Sequence, residues 1–395
     1  MSRAEHADVV IVGGAIVGSS VATFLALHPG FDGRIVVVER DTTFRTASTT
    51  LSAASIRLQF STPLNIEISR FGLDVVRDPR RYLAVDGEIP DVEFVEGGYC
   101  FLATDAGLAT LERNHATQVA LDVPVVLLSP AELAARFPWV RTDDLAGASL
   151  GLRDEGWFDA YALLQGFRRR ARALGVVEVV GEVTGLERDG DRIGLVRLAD
   201  GTEIRAGWVV NAAGPRAAEV AALAGIDLPV RPRKRHAFHL AAPVSLGAAP
   251  LTVDPSGIYF RPEGPNYLAG YTPGHDEPDP DTLGLEVERG LFDEVVWPAL
   301  AHRVPDFDRA RLLDAWAGHY EVSLLDHNAI VGPHPTVRNL VFANGFSGHG
   351  LQQAPAVGRG IAEWIATGRY ETLDLGPLGY ERIVRGEPIR ELNVI

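Results

Sequence analysis

The stretch from Asp8 to Arg40 constrains this chain more than any other. Asp8–Val12 is an apolar run of the kind that fills a strand buried on both faces. Gly13-Gly14-Ala15-Ile16-Val17-Gly18 follows as a glycine-rich turn, and Ser19–Leu27 fits a helix that stops at His28-Pro29-Gly30. Arg34–Val38 is a second buried strand, closing with Glu39-Arg40. Strand, turn, helix and strand within about thirty residues make a βαβ unit. The turn nearly matches Gly-x-Gly-x-x-Gly, with an acid, Glu39, 21 positions beyond Gly18. That pattern seats a diphosphate on a helix N-terminus, where free N–H groups and the helix dipole favour negative charge, and a ribose diol on the carboxylate. Ala15 stands where the strict pattern has its middle glycine, and its methyl group is the smallest intrusion on a passing pyrophosphate. Gly13, Gly14, Ala15, Ile16, Val17, Gly18, Glu39 and Arg40 are thus candidate cofactor-binding residues. The motif alone does not decide between FAD and NAD.

The 19 residues between Asp8 and His28 carry no charge, which approaches the length of a bilayer span. Gly13, Gly14, Gly18, Ser19, Ser20 and Thr23 and the β-branched start argue against one. Met1–Ala7, with Glu5 beside Arg3, fits a secretory leader badly. The expectation is a cytoplasmic chain with no transmembrane segment. With 52 acidic against 37 basic residues and a net charge of −15, it lacks the cation excess that nucleic acid demands. The single cysteine, Cys100, cannot form an intramolecular disulfide or a cysteine-based metal site, and no histidine pair has metal-ligand spacing, so no metal is expected. Lys234 is the only lysine, so chemistry that needs an amine side chain has one residue to draw on.

Further along, Ala160–Leu174 reads as a helix whose Arg168–Arg172 stripe suits a solvated face. Val176–Val180, Arg192–Leu198 and Glu203–Ala206 read as short strands, and Trp208–Val210 as a separate buried run. Residues 226–275 alternate as a sheet with one covered face, and Glu286–Val296 has amphipathic helical spacing. Leu340–Ala343 and Gln352–Thr367 read as a strand and a helix joined by a glycine-rich loop. The expected fold class is mixed α/β: a discontinuous Rossmann-like FAD-binding domain (1–85, 150–225 and 322–395) and an antiparallel-sheet substrate domain (86–149 and 226–321). The small residues of Asn211-Ala212-Ala213-Gly214, ending a strand, and the broken layout favour FAD, adding Ala212, Ala213 and Gly214 to the cofactor set. The loop Gly345-Phe346-Ser347-Gly348-His349-Gly350-Leu351 supplies backbone donors at a helix start, suited to the negative charge of a reduced flavin.

These segments, with Ser48-Thr49 and Ile56-Arg57-Leu58-Gln59-Phe60, resemble the D-amino-acid oxidase superfamily of FAD enzymes, which includes glycine oxidase, sarcosine oxidase and dimethylglycine dehydrogenase. Asp154–Asp159, Pro232–Arg235, Tyr259-Phe260-Arg261, Trp316-Ala317-Gly318, Val331–Pro335 and Gly350–Pro355 extend the resemblance to a mitochondrial branch implicated in respiratory complex I assembly. It implies a split FAD domain beside a sheet that roofs the flavin, with Ser48, Thr49 and Val183 as further cofactor contacts. Two carboxylate anchors of the superfamily are absent. Gln352 stands where sarcosine oxidase has a lysine, and His319-Tyr320 where glycine and D-amino-acid oxidases have an arginine. If the substrate is an amino acid, Arg57 and Arg261 are the candidate anchors, since a guanidinium binds a carboxylate in bidentate fashion. His319, Tyr320, Tyr259 and His349 are candidates to orient a substrate amine, with Gln352 and His236 as further substrate contacts. Cys100 is not at the superfamily's C-terminal attachment point, and no histidine lies between His28 and His115, so the flavin is expected to be non-covalent.

The activity expected is oxidation of a small amine or N-substituted amino acid by hydride transfer to flavin N5, the imine product then hydrolysing. Electrons would pass to O2, a quinone or a carrier protein, in a chain that could form homo-oligomers. Two alternatives stand beside it: a 2-hydroxy-acid oxidase or dehydrogenase, and a non-catalytic flavoprotein assembly factor.

Overall fold

A computed structural model describes residues 5–274 and 277–392. The apolar run at the start becomes the strand Glu5–Val12, hydrogen-bonded in parallel to Ile35–Glu39 on one side and to Glu203–Asn211 on the other. Val177–Val180 continues the sheet beyond Ile35–Glu39, and Leu340–Asn344 beyond Glu203–Asn211, all in parallel. Five parallel strands therefore end side by side at Val12, Glu39, Val180, Asn211 and Asn344. Both faces are covered, which explains why Val9–Val12 and Ile35–Val38 are buried without alternation. Helices Ile16–Leu27, Ala160–Ala173 and Gly350–Thr367 pack on one face. The hairpin Val183–Asp189 and Arg192–Leu198 and the short helix Ala217–Ala222 lie on the other.

A second eight-stranded sheet runs in the order 311–323, 230–241, 266–271, 258–263, 251–253, 99–103, 147–151, 125–128. It is antiparallel except where Leu251–Val253 meets Tyr99–Ala103. Its two longest strands, Val230–Ala241 and Arg311–Ser323, pair over twelve positions. Val230 at their near end joins the core under the parallel sheet. These strands thus carry the second sheet up to the carboxyl ends of the first, and that junction positions the site.

Three local expectations are corrected. Glu203–Asn211 is one continuous strand rather than two pieces, because a Cβ at Gly207 would lie 2.6 Å from the Asp8 carbonyl oxygen; glycine here permits close strand approach instead of a break. The helix expected at Glu286–Val296 does not begin at Glu286. Residues 286–288 are tied to Val230–Ala241 by polar contacts, and helical structure runs from Phe292 to Arg303. The arginine stripe of Ala160–Ala173 is not a solvated face throughout: Arg168 is buried, donates to both Glu178 carboxylate oxygens at 3.1 and 2.9 Å, and lies over the Phe44 ring. The sheet-forming stretch expected over 226–275 contains the strands above; its last residue, His275, lies outside the described residues.

Candidate active site

The carboxyl ends of parallel strands are where open α/β sheets bind ligands, and here they open into a cavity of about 460 Å³. It begins at Glu39, Arg40 and Val183, passes Gly13, Ala15, Ile16 and Val17, and continues beside Ala212, Ala213 and Gly214. Ser48 and Thr49 line its middle, Phe346, Gly348, Gly350 and Leu351 its floor, and His236, Tyr259, His319 and Tyr320 of the second sheet its far wall.

The dinucleotide turn is shaped by close contacts. Gly13 has φ +100°, and a Cβ there would lie 2.3 Å from the Ala212 carbonyl oxygen. A Cβ at Gly18 would fall 1.9 Å from the Gly13 oxygen, so neither Gly13 nor Gly18 admits a side chain without the turn moving. Gly14 donates its N–H to the Glu39 carboxylate at 2.8 Å, and Asp41 does the same from the other side at 2.8 Å. A carboxylate can accept about four hydrogen bonds, so Glu39 is held in place with capacity left for a diol. The N-cap residue of the helix Ile16–Leu27, Ala15, has no capping side chain, and Thr49 Oγ1 accepts the Ile16 N–H at 3.4 Å. Ser48 Oγ is buried on the cavity wall with no hydrogen-bond partner among the described residues. An extended cleft, a helix N-terminus open to it, an orphaned hydroxyl and a fixed carboxylate suit a flavin dinucleotide. Glu39 would hold its ribose, and Gly13, Ala15, Ile16 and Val17 with Ser48 its diphosphate, whereas Gly14 and Gly18, expected as contacts, shape the turn from off the cavity surface.

At the far wall, the Tyr259 ring lies across the paired residue Gly270, where a Cβ would meet it at 2.2 Å. Tyr320 covers Gly348 in the same manner, at 2.5 Å. Burial pushes both phenols up, so they stay protonated. Burial also lowers His319 and His236, keeping both imidazoles neutral near pH 7. His319 Nε2 lies 3.2 Å from the Gly284 carbonyl, which assigns the proton to Nε2 and leaves Nδ1 as an acceptor. His236 Nε2 accepts the Glu288 N–H at 3.3 Å.

Other expected site residues lie in a layer behind the cavity rather than on its surface. Arg57 Nη2 meets His349 Nε2 at 2.9 Å, its Nη1 donates to the Gln59 carbonyl, and its guanidinium lies 4.0 Å from the Phe60 ring centre. Since arginine can only donate, His349 must accept at Nε2; burial and Arg57 hold its pKa well below the usual value. Gln352 Oε1 accepts the Arg57 N–H at 2.9 Å. Arg261 pairs with Glu263 and donates to the carbonyls of Pro262 and Ala53 at 3.0 and 3.1 Å. Ser347 bonds Ser323 and Gly345 within its own loop, and Gly345, at φ +72°, turns the chain beneath it. None of Arg57, Arg261, Gln352, His349, Ser347 or Gly345 is on the cavity surface. The physical reason is shared: each polar atom named is committed to internal partners one layer away.

Three residues that the sequence reading did not single out are prominent here. Glu155 is fully buried and accepts from Leu58 N, Gln59 N and Gln59 Nε2, bracing the Arg57 segment; burial still pushes its carboxyl up to about 7. Glu321 lies on the cavity wall beside Tyr320, with Oε2 unpartnered among the described residues. Burial raises its carboxyl to about 8, against the pull of hydrogen bonds from the Gly345 and Phe346 backbone. Arg235 also lines the cavity. Its place in Pro232-Arg233-Lys234-Arg235 was visible, but which of three neighbouring cations turns inward depends on strand pairing.

The chain belongs to the FAD dependent oxidoreductase family, whose model matches residues 8–364. FAD is the cofactor of that family, and the cavity fits it. Among relatives, the Xenopus laevis protein called FAD-dependent oxidoreductase domain-containing protein 1 is 42% identical over 99% of this chain and 85% of its own. Rat mitochondrial dimethylglycine dehydrogenase is 28% identical over 95% of this chain and 45% of its own. The crystal structure of L-proline dehydrogenase from P. horikoshii superposes with a TM-score of 0.85 at 26% identity, covering 98% of this chain and 100% of that one. Among the described residues no helix is long and apolar enough to cross a membrane.

Proposed function

We propose that this oxidoreductase oxidises the carbon–nitrogen bond of a small secondary or otherwise N-substituted amine, an N-substituted amino acid being the preferred form. The single observation that carries this reading is the continuity of the cavity, which joins a dinucleotide cradle to a wall of Tyr259, His236, His319 and Tyr320. Bound there, FAD supplies the two-electron acceptor for oxidation of a substrate C–H and its neighbouring nitrogen to an imine, which water hydrolyses. The names of two relatives point to the same chemistry, since proline is a secondary amine and dimethylglycine a tertiary one.

The chain's own groups would prepare the substrate. An ammonium cannot release hydride readily, because its nitrogen has no lone pair to support the developing cation. Neutral His319, protonated at Nε2, offers Nδ1 to take that proton. Tyr259 and Tyr320, held protonated, donate hydrogen bonds and wall off water. Cys100 lies in the strand Tyr99–Ala103 and does not line the cavity, which supports non-covalent FAD. The division into a cofactor unit (1–85, 150–225 and 322–395) and a substrate unit (86–149 and 226–321) is part of this proposal.

The test is anaerobic mixing of flavin-loaded protein with N-alkyl amino acids and, separately, 2-hydroxy acids. Bleaching of the flavin by the first set alone is expected. Bleaching by hydroxy acids alone would replace this reading with alcohol oxidation. A flavin that neither set reduces would point to a non-catalytic role, and protein that binds no FAD would end the proposal.

A further inference from the structure

The cation that a carboxylate substrate needs is not supplied by Arg57 or Arg261, whose guanidiniums are engaged behind the cavity. Arg235 lines the cavity, 5.3 Å from the Tyr320 ring centre, and both Tyr320 and Tyr259 feel its charge. Its side chain is 12% exposed. Nη1 and Nη2 each donate to one carboxylate oxygen of Asp279 at 2.8 Å, while Nε is buried without a partner among the described residues. The Asp279 carboxylate therefore occupies the fork of Arg235 in the way a substrate carboxylate would.

Asp279 does not belong to a strand or helix. It lies in the irregular segment 277–289, which crosses the strand Val230–Ala241, pairs with it at one bridge, Arg233–Asp281, where the Thr282 N–H donates to the Pro232 carbonyl at 3.1 Å, and is otherwise fastened to it by side chains. Arg233 pairs with Asp281 at 2.7 Å and Lys234 with Glu288 at 2.5 Å; His236 and His319 of the cavity wall bond the backbone at Glu288 and Gly284. The carboxylates of Asp281 and Glu288 on the segment side are 51% and 63% exposed, so those two ion pairs contribute little on their own. Asp279 is itself 31% exposed, so its carboxylate can exchange for solvent without unfolding a core element. Two other arginines line the cavity: Arg40 follows Glu39, and Arg216, paired with Glu219, follows the carboxyl end of Glu203–Asn211, both on the dinucleotide side.

We propose that Arg235 binds the carboxylate of the substrate, and that Asp279 is the internal carboxylate it displaces. This rests on the amine-oxidising reading above and narrows its substrate to a carboxylic acid. An amine without a carboxylate would leave the Arg235–Asp279 pair closed. A substrate carboxylate would take the two Nη donors that Asp279 now holds. The only lysine of the chain then serves to hold the segment through Glu288 rather than to touch substrate.

The test uses flavin-loaded protein and pyrrole-2-carboxylate, a planar probe, followed by its shift of the flavin absorbance. Its neutral amide is the control. Losing a charge-assisted bidentate contact should weaken the carboxylate at least about tenfold in Arg235→Gln, with the amide unchanged. Arg235→Lys should lie between Gln and the parent. Asp279→Asn, which removes the competing charge, should tighten the carboxylate several-fold and leave the amide alone. Equal carboxylate affinity in the parent and Arg235→Gln, or no tightening in Asp279→Asn, overturns the inference. A parent protein whose flavin is reduced by N-alkyl amino acids but which binds the acid no better than the amide also overturns it, while the functional reading stands. Failure of the parent to bind FAD would instead remove that reading.

Discussion

Replacing Glu321 by Gln should flatten part of the pH dependence of folding stability. In the unfolded chain a glutamate ionises near 4.5, whereas Glu321 in the folded protein holds its proton until about 8, chiefly because burial disfavours the carboxylate. Between those two values folding takes up a proton. Stability therefore falls as pH rises through the window, and levels off above about 8. Each pH unit within it costs about 1.4 kcal/mol. A glutamine of the same shape keeps an oxygen to accept from the Gly345 and Phe346 backbone but has no proton to exchange. The stability difference between variant and parent should then shift in favour of Gln by roughly 2.7 kcal/mol from pH 5.5 to 7.5. Glu155, pushed up to about 7 by burial, gives both proteins a similar slope and cancels in the comparison. Urea unfolding at fixed excess FAD, at pH 5.5, 6.5 and 7.5, measures it. Parallel curves would show that Glu321 ionises normally, and the account of its burial would be wrong.

Gly13→Ala should abolish FAD retention on a desalting column, because a Cβ 2.3 Å from the Ala212 oxygen must displace the turn, and φ +100° adds strain. Retention of a full flavin complement would refute the contact. Cys100→Ser should bind FAD as the parent does, and acid precipitation of either protein should release all flavin to the supernatant; flavin in the pellet of the parent but not the variant would show a cysteinyl link. Arg168→Ala should destabilise by about 1.5 kcal/mol, since it removes two of the hydrogen bonds to Glu178, leaves Arg172 as that carboxylate's cation, and uncovers Phe44. A loss under about 0.5 kcal/mol would restore the solvated-face description.

The cofactor half of the site was legible because it is local. Gly13–Gly18 and Glu39 lie within one βαβ unit, and their spacing follows from the reach of one strand, one turn and one helix. Ser48, Val183 and Ala212–Gly214 also reach the cavity, each at or near the end of a parallel strand or its following loop. The glycine-rich loop was only half legible. Phe346, Gly348, Gly350 and Leu351 face the cavity, while Ser347 and His349 turn to Ser323 and Arg57. Which way a loop residue points is set by a left-handed turn at Ser347, φ +50°, that its residue type does not advertise.

Sequence alone determined that this chain builds a dinucleotide cleft, that a second sheet interrupts it, and that a lysine anchor for an anionic ligand has only Lys234 to draw on. Each of those conclusions rests on composition or on short-range periodicity. Tertiary structure decided which arginine is available. Arg57 and Arg261 have residue types suited to a carboxylate, but backbone carbonyls and Glu263 from their own surroundings already occupy them. Arg235 reached the cavity's far wall only through the pairing of Val230–Ala241 with Arg311–Ser323, and Asp279 became its partner only through the path of 277–289 across that strand. Long-range pairing carries no signature in local sequence, so the anchor for a substrate emerges when the strands are assembled.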